Sequence, residues 1–111
     1  MSLRAPRPSS HGRVPDGMSE LGRALAADAA EMLGRLGGAV EASLARLADA
    51  AAHGNAEQQV DAQYDAAAAV WVYFVQREAM GLRQHAPVIE MYGIPASVLA
   101  KVGAARPAPR T

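Results

Sequence analysis

Residues 53 to 58 read His53-Gly54-Asn55-Ala56-Glu57-Gln58, and this short stretch decides the fold. Gly54 suits the left-handed position that follows a helix. Asn55 with Gln58 three residues on matches a reciprocal capping box, so a new helix starts at once. Helices joined by so short a turn are antiparallel neighbours, an αα-hairpin. The class therefore rests on whether both flanks are helical.

Upstream, Leu21, Leu25, Ala29, Met32, Leu33, Leu36, Val40, Leu44 and Leu47 recur at helical spacing. At about 100° per residue they fall within one arc of roughly 140°, an amphipathic stripe. The phase runs unbroken through Gly34, Gly37 and Gly38, which argues for one helix over about 19–52, capped at Ser19. Such a helix is roughly 50 Å long at 1.5 Å per residue. On the opposite face Ala27, Ala30, Gly34, Gly38, Ala45, Ala48 and Ala52 form a strip of small residues. Glu31 and Arg35 stand four apart, as in a helix-surface ion pair.

Downstream, Val60, Tyr64, Ala67, Ala68, Trp71, Phe74, Val75 and Leu82 give a second stripe over about 56–85, with Pro87 as the stop. In an antiparallel pair turning at 54, positions summing to about 108 lie level. Trp71 is thus expected against Gly37, Tyr64 against Leu44 and Leu82 against Leu25. The run Ala66 to Val75 (Ala-Ala-Ala-Ala-Val-Trp-Val-Tyr-Phe-Val) is apolar all round, whereas a hairpin buries one face of each helix. Soluble monomers rarely expose such a patch. Either the C-terminal segment or a second subunit must cover it. Because the belt is mid-helix, the expectation is a homodimer that completes a four-helix bundle, with Val70, Trp71, Tyr73 and Phe74 in the interface.

Pro87 and Pro95 each open a short helix, Val88 to Tyr92 and Ala96 to Val102, closed by Gly93 and Gly103. Val88, Tyr92, Ile94, Leu99 and Val102, with Gly93 at the bend, resemble the outline of a helix-turn-helix motif. That resemblance implies an alternative function, a DNA-binding regulator using residues 87–103 with Lys101, Arg106 and Arg110. The segment departs from the motif at Ile89, where a small residue belongs. It offers only Ser97 and Lys101 as polar readers, and base recognition wants several. Two short amphipathic turns that cap the hairpin are the simpler reading.

Composition agrees with helices. The 111 residues include 26 alanines, one tryptophan and no cysteine, which excludes disulfides, thiolate metal sites and cysteine nucleophiles. Eleven Lys and Arg balance eleven Asp and Glu. The balance is uneven, because all the acids lie between 16 and 103, between a basic tail at 1–15 and a second tail at 104–111. Both tails, rich in proline and arginine, are expected to be disordered. A single helical domain would span 16–103. No stretch approaches the ~20 apolar residues of a membrane span, and Met1 to Arg7 lack a signal-peptide core. A soluble, cytoplasmic protein is the expectation. Ten arginines to one lysine suit a GC-rich bacterial genome.

Chemistry-bearing residues gather near the end of the second helix. Glu78 and His85, seven apart, continue the line of Trp71, with Arg83 nearby. A carboxylate and an imidazole facing a core could form a polar site with shifted pKa values. Two ligands are too few for a metal, and the Glu-x-x-His pairs of di-iron bundles are absent. There is no phosphate-binding loop or nucleophile elbow. The sequence thus reads as a non-enzymatic interaction protein without cofactor or metal, in which Glu78 pairs with an arginine and His85 caps a helix end.

Overall fold

In the computed structural model, residues 16–107 are described. They form four helices: α1, Asp16–His53; α2, Ala56–Ala79; α3, Ala86–Tyr92; and α4, Ala96–Leu99. No strand occurs among the described residues, and the protein is all-α. The expected tail at 1–15, and residues 108–111 of the expected tail at 104–111, lie outside the described residues. The chain divides into two compact units, one ending at Ala30 and one beginning at Glu31. In the first unit, α1 begins at Asp16, three residues ahead of Ser19, and its Leu21 and Leu25 are more than half exposed.

The second unit contains the hairpin. Asn55 caps α2 as its sequence demands: its side chain accepts from the Gln58 N–H at 2.8 Å, and the Gln58 side chain accepts from the Asn55 N–H at 2.9 Å. Gly54 is not left-handed, however. A side chain there would press on the Ala50 carbonyl and on Gln58, so the turn needs glycine for room rather than for its dihedral freedom. From Leu33 to Leu47 the α1 stripe faces inward as expected, with Val40 fully buried. Gly34 and Gly38 face open space.

On α2 the buried face is only in part the expected one. Ala67 is inside as expected and is joined by Ala66, Val70 and Tyr73, whereas Trp71 and Val75 of the expected stripe lie outside, with Val72 beside them. Residues at 66, 70 and 73 define a helical stripe as good as that through 68, 71 and 75. The inner one wins because its alanines allow a third element to approach. That element is the C-terminal segment, whose Val88, Ile94 and Val98 join Val40, Val70 and Tyr73 in one core. The belt is therefore covered in part by the chain itself, contrary to the expectation that it lies out of the segment's reach. Gly37 receives Tyr92 and Tyr73 rather than Trp71.

Helix α2 ends at Ala79 and not near 85. Gly81, at φ 85°, occupies the left-handed position after the helix. The Leu82 N–H reaches back to the Arg77 carbonyl at 2.8 Å and the Gly81 N–H to that of Glu78 at 3.0 Å, a Schellman closure. Pro87 only begins the next helix. Leu82 is exposed in the turn, off the stripe once assigned to it. The same closure recurs at Gly93, where the Ile94 N–H meets the Ile89 carbonyl at 3.0 Å and turns the chain into α4.

Candidate functional site

Two clusters in the second unit hold the residues with chemical potential. The first lies where the turn after α2 folds back on the helix that precedes it. The His85 ring stacks on Phe74, with centroids 4.0 Å apart and planes 3° from parallel. Its Nδ1 accepts a hydrogen bond from Arg77 Nε at 3.2 Å. The neutral ring therefore carries its proton on Nε2, which donates to Glu78 Oε2 at 2.9 Å. Arg77 Nη2 also donates to the Gln84 carbonyl at 2.7 Å, and its guanidinium carbon lies 6.0 Å from the Tyr73 ring centre.

Of the polar residues singled out from sequence, Glu78 and His85 do meet, but not as neighbours on one helical face. They meet because the chain reverses at Gly81. Arg83 is exposed and forms no hydrogen bond or ion pair among the described residues. The arginine of the cluster is Arg77, and it bonds His85 and the Gln84 carbonyl. Contrary to expectation, Glu78 pairs with His85 and not with an arginine, and the His85 side chain caps no helix end. Arg77 belongs to the polar cluster that the sequence places at the end of the second helix, but a helix drawn through to 85 carries 77 and 85 apart and favours Arg83 as the neighbour of His85. The signal that finds it is Gly81, a left-handed stop four residues on. Of the expected interface residues, Val70 and Tyr73 are buried in the chain's own core, Phe74 is half-buried under His85, and Trp71 is half exposed.

Next to this clasp the Tyr73 and Tyr92 rings meet edge to face, 5.6 Å apart at 84°. The side-chain hydrogen bond with Tyr73, and then burial, push the Tyr92 phenol up to about 12. No three His, Asp or Glu side chains converge as metal ligands among the described residues.

The second cluster flanks the outer face of α2. Beyond α4 the chain turns at Gly103, φ 80°, and runs back along that helix. Tyr64, Ala68, Trp71 and Val72 form one wall of an open groove of about 330 Å³, and Lys101, Gly103, Ala104 and Arg106 form the other. Two cations lie against Tyr64, with Lys101 Nζ 5.5 Å and the Arg106 guanidinium 5.8 Å from the ring centre. Arg106 is tied to the Asp65 carboxylate and to the Asp61 carbonyl, and Asp65 holds the guanidinium above its usual range. Residues 104–107, expected as free tail, thus run against α2. Neither Lys101 nor Arg106 had been placed in a groove from sequence, since nothing local brings 101–106 beside 64.

The segment 87–103 serves packing. Val88, Ile94 and Val98 are core residues, and α4 is four residues long, too short to lie along a major groove. Among the described residues no helix is long and apolar enough to cross a membrane.

These features define an all-α hairpin whose open side is closed by two short helices and an aromatic–histidine clasp. The chain belongs to the family of unknown function DUF6665, whose model matches residues 1–110. No curated protein and no solved structure matches it.

Proposed function

We propose that this protein is a non-enzymatic helical interaction module that self-associates through the outer face of α2. One observation carries the reading. After the C-terminal segment has covered Val70 and Tyr73, α2 still presents Val60, Ala68, Trp71, Val72 and Val75 to solvent, with Tyr64 half-buried among them. The positions 64, 68, 71, 72 and 75 repeat at three and four residues, the spacing by which one helix seats against another. Trp71 is 50 % exposed, and a large aromatic on such a seam supplies anchoring area. A second copy offers the same seam, and a two-fold pairing of α2 with its mate gives a four-helix bundle. The titratable side chains of the clasp bond to one another, which supports a structural role for them.

Light scattering on the purified chain tests this. A mass near twice 11.6 kDa is expected, falling toward 11.6 kDa in Trp71→Glu with helical circular dichroism retained. A mass of one chain at all accessible concentrations would refute it. No observation favours the DNA-binding alternative: α4 is four residues long, and Ser97 and Lys101 are the only polar residues between 96 and 102.

A further inference from the structure

We infer that the groove between α2 and residues 101–106 binds a small planar aromatic anion bearing one negative charge. This goes beyond self-association and competes with it: Ala68, Trp71 and Val72 belong both to the seam and to the groove wall, so a ligand and a second copy exclude one another and the ligand is held by the single chain. The groove joins an apolar wall of Ala68, Trp71 and Val72 to an opposite wall that carries cations. Its volume of about 330 Å³ stands at the low end of small-molecule sites, so it suits a one- or two-ring ligand and not a helix.

Charge selects the sign. Residues 16–107 hold all eleven acids but only seven of the eleven Lys and Arg, so the described surface is acidic. Yet both charged residues that line the groove are cations. Their availability selects the number of charges. Arg106 is engaged by Asp65 and the Asp61 carbonyl. Lys101 has only a 3.4 Å bond from Nζ to the Ser97 carbonyl, leaving donors for an incoming oxygen. The indole N–H of Trp71, beside Gly103, makes no hydrogen bond among the described residues and offers a second donor. An aromatic ring laid against Trp71 and Val72, with its anionic group toward Lys101, uses every one of these features.

The test uses two dyes of nearly the same shape, the anionic 1-anilinonaphthalene-8-sulfonate and the neutral N-phenyl-1-naphthylamine. Trp71 is the sole tryptophan, so its quenching reports dye bound to the chain, and Lys101→Met assigns that dye to the groove. The anionic dye is expected to bind once per chain and to quench Trp71. The neutral dye should bind about tenfold more weakly, the worth of a charge-assisted hydrogen bond. Lys101→Met keeps the aliphatic stem, and should bring the anion down to the level of the neutral dye. Added salt, which needs no variant, should weaken the anion and spare the neutral dye. Equal binding of both dyes, or an anion affinity unchanged in Lys101→Met, overturns the inference. Light scattering on the same samples separates the two readings. A monomer at all concentrations with the expected dye preference sinks self-association alone, and absence of the preference in Trp71-intact protein diluted until it scatters as a single chain sinks the groove alone.

Discussion

The Tyr92 hydroxyl occupies the space in which residue 37 would carry a side chain, so Gly37 is the seat of α3 on α1. Three glycines within five residues of one helix thereby acquire different meanings. Gly34 and Gly38 have nothing within 4 Å of where a Cβ would stand, while Gly37 faces Tyr92 and Tyr73. Gly38→Ala should stabilise the fold by about 1 kcal/mol through helix propensity. Gly37→Ala gains the same amount but must displace Tyr92, an overpacking cost of about 1–3 kcal/mol, and should be net destabilising. Urea unfolding of the two variants gives opposite signs if this assignment is right. Equal stabilisation would show that Tyr92 yields freely.

The Tyr92 phenol is pushed up to about 12 in the fold, because its side-chain hydrogen bond with Tyr73 and its burial favour the protonated form. In the unfolded chain a tyrosine titrates near 10. The raised value means that the folded state holds this proton more tightly. Its contribution is therefore complete below pH 10 and is lost as pH rises through 12. The urea midpoint of the native protein should fall across that window more steeply than that of Tyr92→Phe. Parallel curves for the two proteins would remove Tyr92 from the linkage.

How much of this was legible depends on where periodicity carried phase. Along α1 the apolar residues are separated by polar ones, and the stripe from Leu33 to Leu47 follows directly. Along Ala66 to Val75 every residue is apolar, so spacing alone allows several faces, and the stripe through Trp71 is only one of them. The structure instead buries the alanines, because the core there is filled by Val98 and Val88 from far along the chain. The C-terminal helices and their glycine stops were readable locally, but their target on α2 is a tertiary choice with no local sign. The clasp is hidden for a similar reason. Pro87 reads as the stop of the second helix, whereas Gly81 ends α2 six residues earlier.

The clasp divides its work unevenly between Arg77 and Glu78. Glu78 is more than half exposed at its side chain, so its contact with His85 is screened by water. Arg77 bonds both His85 and the Gln84 carbonyl. Glu78→Gln should change stability by less than about 0.5 kcal/mol. Arg77→Met should cost about 1–2 kcal/mol, since it loses two hydrogen bonds. Nitrogen NMR of His85 should show the Nε2–H tautomer in the native protein. The Nδ1–H tautomer there would contradict the Arg77 contact.

Docking of the C-terminal segment turns on Val98, which is fully buried in a helix only four residues long. So short a helix has almost no intrinsic stability, and its conformation is maintained by what it buries. Val98→Ala removes two methyl groups' worth of burial and leaves a small void, costing about 2 kcal/mol. Met91, 65 % exposed on α3, should tolerate alanine with a change below about 0.5 kcal/mol. Amide hydrogen exchange separates loss of the segment from global weakening. In Val98→Ala, amides of 88–102 should exchange faster while those of α1 between Val40 and Leu47 keep most of their protection. Uniform acceleration along the chain would instead mean that hairpin and segment unfold as one unit, and that α4 is as integral to the core as the two long helices.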